Sequence, residues 1–507
     1  MIFIFLFHLV ITPSVATAAE SSETTSLIFL HTNDLHGAFR GTDVRGGLNL
    51  APQQGLLRIG TIVKQIRTEN RPVVLLDAGD LIHGTPMMDI FRGRPMFNVL
   101  NHLKYDAVTL GNHEFDMGQS VLTDNLREAK MPILAANAVF TRKELAKRTM
   151  PYVIVKRGNI RIGIVGLLTP ETLELQWYTT AEGLEILSPA ETLQKITTEI
   201  RGKVDILVVL SHLGISKDKE IAQAVKDIDF IFGGHTHTVT QQPIKVNDTL
   251  ICSTGSHGKY LGRLNVNLTF AENKWKIDRT EYSLIEITPE IPENKELLKI
   301  YTPFAHEVEK KLAEKVGESW VDLNFEGMRT KETRLGDQIA DLIRGAAGTD
   351  IAVIDTTTVN GGVASGTVTV GHLYSVLGSY TRQEIVKGKF TGRTIREMLE
   401  YAVSGTRHPL LLQVSGIEFW YDPQLPAGSR ISEISISDKP LDNTKEYTLA
   451  TTAHLFMGGS GFKMMKNHLS IESTGKQLRN IIAAGIRQER FLWPDFPHRI
   501  LAVIGNK

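Results

Sequence analysis

The stretch AVTLGNHEFD, residues 107–116, runs from a short apolar segment straight into Asn112, His113, Glu114 and Asp116. A loop that only reverses the chain needs a Gly and one polar cap. Four side chains able to coordinate a cation or carry a proton are more than a turn requires. Working outward, the chain does the same thing elsewhere. Leu27 to Leu30 leads into His31-Thr32-Asn33-Asp34-Leu35-His36, and Pro72 to Leu76 leads into Asp77-Ala78-Gly79-Asp80. Ile206 to Leu210 leads into Ser211-His212, and Ile228 to Phe232 into Gly233-Gly234-His235-Thr236-His237. Between these runs, segments such as 57–68 and 190–201 carry apolar residues at helical spacing. Short β-branched runs separated by helices predict an α/β domain. In open α/β sheets, function gathers beyond the carboxyl ends of the strands. Five strands here end in His, Asp or Asn.

One strand-end histidine is ordinarily structural; five such ends in one domain predict a site. Asp34, Asp80, the Asn112 carbonyl and the imidazoles of His36, His212, His235 and His237 form a mixed oxygen and nitrogen donor set. Without a thiolate among them, the set suits Mn, Zn, Fe or Mg and excludes a cysteine-based zinc site. Seven donors exceed the need of one open metal. With one carboxylate bridging, they fit two divalent ions about 3.5–4 Å apart, able to deprotonate a shared water and clamp an in-line phosphoryl displacement. His113 is then left to meet the substrate, with Asp116 three residues on to orient its imidazole. Glu114 is expected to support the site or cap the helix near Gln119.

In order, NDLHG (33–37), GD (79–80), GNHE (111–114), SH (211–212) and GHTH (234–237) resemble the signature of calcineurin-like metallophosphoesterases. The longer forms TNDLHG, GNHEFDMG and FGGHTHT, with the second domain, resemble the 5′-nucleotidase family over residues 26–465. The resemblance implies a metallophosphoesterase α/β sandwich followed by a smaller α+β C-terminal domain. It implies that Asp34 and His36 bind one metal, that Asp80 bridges, and that Asn112 and His212 bind the other. His235 and His237 would complete the pair, one on each, and His113 with Asp116 would form the catalytic dyad. Asp77 and His83 match no family ligand. Asp77 reads as a strand-end hydrogen bonder and His83 as a loop residue lining the site.

The chain has 507 residues, which predicts more than one domain. Lys plus Arg and Asp plus Glu are both 56, so nothing favours a nucleic-acid polymer as partner. A small-molecule phosphate ester is the expected partner, and the sequence sets no oligomeric state. Residues 1–18, an apolar run broken at Pro13 and ending in Ala16-Thr17-Ala18, read as a signal peptide, although no Lys or Arg precedes the run. The expected location is therefore periplasmic or extracellular, without stable membrane insertion. Cys252 is the only cysteine, in a strand-like setting that predicts a buried structural thiol.

The expected organisation is a catalytic domain at 25–290, a connecting helix or linker at 291–325 and a substrate-recognition domain at 326–507. In the second domain, Asp337 to Ile343 and Thr394 to Ala402 predict helices. Ile351 to Ile354, Gln413 to Tyr421 and Tyr447 to Thr451 predict strands. The family implies two aromatic rings clamping a base here, an Asp holding it and arginines for phosphate. This chain departs from each. Ser365 stands where Arg is usual, Leu fills the aromatic position before Gln413, His454 takes the other aromatic position and Ser460 that of the Asp. His454 could still stack, and Arg382 in Tyr380-Thr381-Arg382-Gln383 could replace a phosphate contact. Substrate-binding residues are left unassigned. The expectation is thus removal of phosphate from nucleotides. The alternatives are the same chemistry on a sugar phosphate, cyclic diester or sulfur oxyanion, or a binding protein with a relic site.

Overall fold

The structure is a computed structural model and describes residues 23–40, 54–175, 180–378, 383–405, 410–488 and 498–503. The signal-peptide segment and Arg382 lie outside the described residues.

The first domain is a sandwich of two sheets. One has seven strands, in the order Lys274–Glu286, Tyr260–Ala271, Thr24–Thr32, Val73–Asp77, Ala107–Thr109, Ile133–Leu134 and Thr149–Met150. The other has six, in the order Ile244–Val246, Thr249–Cys252, Phe230–Gly233, Ile206–His212, Ile160–Leu168 and Tyr152–Arg157. Side chains alternate across each strand. Leu27, Phe29, Val208 and Leu210 point between the sheets. Ile28 and Leu30 point out under one helical layer, and Leu207 and Val209 under the other. Both faces are therefore dry, which is why these strands read as unbroken apolar runs. Strand Thr24–Thr32 pairs parallel with Val73–Asp77, which pairs parallel with Ala107–Thr109. Ile206–His212 pairs parallel with Phe230–Gly233. Parallel pairing aligns the carboxyl ends within each sheet, and the His235 N–H bond to Asp34 joins the ends of the two sheets at one rim. Cys252 is buried between the sheets, and burial pushes its thiol up.

The helix Lys295–Ala313 opens with Asn294, whose side chain accepts from the backbone N–H groups of Glu296 and Leu297. It buries Leu297 and Val308 in the first domain's core, whereas Val316 belongs to the second domain's. The second domain is built on a five-stranded sheet, ordered Leu412–Ser415, Ile351–Asp355, Glu446–Thr452, Glu384–Thr391 and Ser470–Gln477. Ala352 and Ile354 pack against helices Arg334–Ala347 and Leu478–Arg487; Ile351 and Val353 pack against helix Gly392–Ala402 and a smaller sheet. The expected strand over 413–421 is two strands in different sheets. Gly416 takes φ +75° and turns the chain from Leu412–Ser415 into Glu418–Tyr421. No helix among the described residues is long and apolar enough to cross a membrane.

The two domains touch at Asp89. Its Oδ2 accepts the Tyr374 hydroxyl at 2.6 Å and the Arg479 Nη1 at 2.6 Å. The Arg479 guanidinium lies 3.7 Å over the Tyr374 ring. This contact sits in an interdomain cleft of about 730 Å³ whose wall also includes Asp116.

Phe29 is fully buried against Phe230 and Phe232 at the middle of the sandwich. Phe29→Ala should destabilise the first domain by about 3–5 kcal/mol, read as an earlier denaturant midpoint. An unshifted midpoint would mean the inter-sheet core does not carry that domain's stability.

Candidate metal centre

The loops after strands Thr24–Thr32 and Val73–Asp77 are tied backbone to backbone. Asp34 N–H donates to Gly79 O, His36 N–H to Asp80 O and Gly37 N–H to Leu81 O, at 2.8–3.0 Å. Five of the proposed ligands have left-handed backbones: Asp34 (φ 50°), His36 (46°), Asp80 (59°), His235 (74°) and His237 (51°). A non-glycine residue in this region costs about 1–3 kcal/mol. Such a concentration of strain marks a place where side-chain direction matters more than local comfort. Gly111 has no alternative, since a Cβ there would collide with Asp80 and His212.

Four groups of donors result among the described residues, two of them built only from the seven residues read as ligands. In one, the ligand atoms of Asp34, His36 and His237 lie within 4.8 Å of one another. His36 Nε2 is 2.9 Å from His237 Nε2, and His237 Nε2 is 3.4 Å from Asp34 Oδ1. In the other, Asp80, His212 and His235 lie equally close. His212 Nε2 is 3.1 Å from Asp80 Oδ2 and 3.3 Å from Asn112 Oδ1. Asp80 also faces the first set, its Oδ2 being 3.9 Å from His36 Nε2. The seven residues singled out in the sequence as ligands are therefore brought to one spot, with Asp80 between the two sets. His212 donates its Nδ1–H to Ala78 O at 2.7 Å, which fixes the tautomer and aims Nε2 inward.

Asp34 and Asp80 are almost wholly buried. Burial holds the His36 imidazole well below its usual range. Burial also works against charge on His212, but the Asp80 carboxylate overrides it and lifts that ring to about 10. Burial would raise Asp80, yet His212 and His113 hold it well below the usual carboxylate range. Such a pocket calls for positive charge. Divalent cations on this sulfur-free oxygen and nitrogen set would supply it and release the proton from His212, so the residues present fit a metal centre.

His113 and Asp116 come together, Nδ1 to Oδ2 at 2.8 Å. The His113 N–H also donates to Asp80 Oδ1 at 2.9 Å, tying dyad to donors. Burial would raise Asp116, but His113 and His83 outweigh it and hold the carboxyl well below the usual range. Asp77 accepts from Thr32 Oγ1 at 2.6 Å and Gly79 N–H at 2.8 Å, as expected of a strand-end bonder. Glu114 supports the site, but not at the helix near Gln119. Its carboxylate accepts from the N–H groups of Asp80, Leu81 and Gly111 at 2.6–3.0 Å, bracing two ligand loops at once. Burial and the nearby Asp80 push it up to about 7.

Sequence reasoning missed two neighbours and undervalued a third. Glu171 Oε2 sits 3.0 Å from His235 Nε2. The His257 ring lies 5.1 Å from that of His36, centroid to centroid. Each follows a strand, Ile160–Leu168 and Thr249–Cys252, so the strand-end signal was present for both. His83 does more than line the site: its Nδ1 is 2.6 Å from Asp116 Oδ2.

In the second domain, Leu410 and Leu412 are wholly buried, so neither offers a face to a ligand. Gln413 is structural, accepting from Thr333 N–H at 2.8 Å and donating to Met328 O at 3.0 Å. His454 Nε2 is 3.5 Å from Ser460 Oγ, which itself bonds Asp355.

Comparison with known proteins bears on all of this. The calcineurin-like phosphoesterase family matches residues 27–239, and the 5′-nucleotidase C-terminal domain family matches residues 315–467. A snake venom 5′-nucleotidase from Naja atra is 30% identical over 95% of this chain and 99% of its own. The chain belongs to the 5′-nucleotidase family of metallophosphoesterases. It is a phosphoric ester hydrolase of that family's two-domain architecture, and membership implies divalent metals. The 5′-nucleotidase precursor from Thermus thermophilus superposes with a TM-score of 0.68 at 28% identity, covering 95% of this chain and 100% of that one. The Haemophilus influenzae NAD nucleotidase shares the fold, with a TM-score of 0.62 at 19% identity over 95% of this chain and all of its own.

Glu114→Gln places an amide N–H₂ against backbone donors. It should cost about 10–100-fold in metal affinity, measured by metal titration of the purified protein. Unchanged affinity would mean the brace is dispensable.

Proposed function

We propose that this chain is an exported phosphohydrolase that removes phosphate from nucleotides at a two-metal centre. The observation that carries the reading is the convergence of Asp34, His36, Asp80, Asn112, His212, His235 and His237 from five strand ends beside the His113–Asp116 dyad. Asp34, His36 and His237 would hold one divalent ion, and Asn112, His212 and His235 the other, with Asp80 shared. Bound there, such ions would make a water acidic enough to lose a proton at neutral pH and would supply positive charge for the phosphoryl oxygens. The protein's own residues do the rest. Ala78 O and Glu114 keep the donors aimed. Asp116 accepts the His113 Nδ1–H, so the Nε2 edge is the one presented to substrate. From there His113 donates a proton to the departing oxygen. The first domain, 25–290, performs the chemistry. The helix Lys295–Ala313 connects it to the second domain, whose core already takes in Val316 and Leu323 and which lies across the cleft. Export is read from residues 1–18, and its direct check is the N-terminal sequence of the mature protein.

His113→Ala should slow hydrolysis by roughly 10²–10⁴ while leaving metal content unchanged. Loss of metal instead would make His113 a ligand. Chelation should abolish turnover, and added Mn²⁺ should restore it; turnover that survives thorough chelation would end the two-metal reading. A panel of AMP, UDP-glucose, 2′,3′-cyclic AMP, a sugar phosphate and 4-nitrophenyl phosphate tests the substrate class. Hydrolysis of the nitrophenyl ester without AMP would overturn the nucleotide assignment.

A further inference from the structure

The dyad is built as a triad. His83 comes from the loop after strand Val73–Asp77, and Asp116 follows the short turn Asn112–Phe115. Both imidazoles address one oxygen: His83 Nδ1 lies 2.6 Å and His113 Nδ1 2.8 Å from Asp116 Oδ2. The two rings are stacked, with centroids 4.0 Å apart and planes 22° from parallel. On another side, the His36 ring meets His113 edge-on at 5.4 Å. The side chains of Asp116 and His83 are 1% and 5% exposed, so neither has room to swing, while His113 is 18% exposed.

A single Nδ1–H···O bond leaves an imidazole free to rock about that bond. Proton donation to a departing oxygen needs Nε2 within hydrogen-bond reach of it and pointing at it. The Asp116 carboxylate alone supplies a hinge. A second imidazole pinning the same oxygen, with its face against the first ring, supplies the stop.

We propose that His83 is a positioning residue for proton donation by His113. It anchors Asp116 and, by stacking, confines the His113 ring to the plane in which Nε2 faces the leaving oxygen. The inference rests on the reading of His113 as proton donor given above. In the step concerned, an oxygen of water bonds to phosphorus and its proton goes to solvent. The bond from phosphorus to the leaving group breaks with its electron pair on oxygen, and that oxygen takes the proton from His113 Nε2. The imidazole recovers a proton from solvent.

The test compares two esters of similar shape. The oxygen of 4-nitrophenyl phosphate leaves as a stable phenolate and has little need of a proton, whereas that of 4-nitrobenzyl phosphate leaves as an alkoxide and needs one. Fully metallated wild type, His83→Ala, His83→Gln and His113→Ala are assayed for kcat, KM and metal content. His83→Ala should lower kcat on the benzyl ester roughly 10-fold or more, a fraction of the full general-acid contribution. KM and metal content should be unchanged, and the phenyl ester should lose no more than about 2–3-fold in kcat. His83→Gln keeps an N–H for Asp116 without the aromatic face, so it should fall between. Equal losses on both esters, or lost metal, in both His83 variants would make His83 merely structural and overturn the proposal. If His113→Ala separates the esters and the His83 variants do not, only the proposal for His83 falls. If His113→Ala does not separate them, the proton-donor reading fails first and takes the proposal with it.

Discussion

Two carboxylates, Asp34 and Asp80, are held almost out of water at the rim of an apolar sandwich. Most of what surrounds them answers that fact. A buried charge is costly unless matched, and matching groups arrive from every neighbouring strand end. Asn33 donates to Asp34 Oδ2 at 2.7 Å, the His235 N–H donates to the same oxygen at 3.0 Å, and the His113 N–H donates to Asp80. Imidazoles fill the remaining directions. Left-handed backbone at the proposed ligands is tolerated because these bonds and the paired loops determine each position more than once.

The rim exists because the sheets are parallel where it counts and dry on both faces. This is also why the first domain was so legible in the sequence. Strands buried on both sides must be continuously apolar, so the first polar residue after each run marks a strand end. Those ends are where ligands belong. Glu171 and His257 escaped because the first follows a Thr-Pro pair and the second stands five residues beyond its strand. The grip of His83 on Asp116 could not be read at all. It depends on two loops crossing in space, and a sequence records no crossing.

The second domain was harder for a related reason. One edge strand of its main sheet, Ser470–Gln477, is largely exposed, and the chain leaves that sheet for a smaller one at Gly416. Gln413 to Tyr421 looks like one strand because residues on both sides of Gly416 favour extended backbone. The turn rests on a single positive φ that any Gly permits but none announces. Gln413-Val414-Ser415-Gly416 is a scaffold. Gln413 and Ser415 spend their hydrogen bonds on the helix Arg334–Ala347 and the segment before it. The recognition positions read as altered now have particular surroundings: leucines sealed in the core, and a small polar cluster of His454, Ser460 and Asp355.

The one thiol has a wider meaning. Cys252 is sealed between two sheets, and no second cysteine exists for it to join. The fold therefore contains no disulfide for a reductant to break, and none can form within the chain. Its durability does not depend on the thiol–disulfide balance of whatever fluid surrounds the molecule.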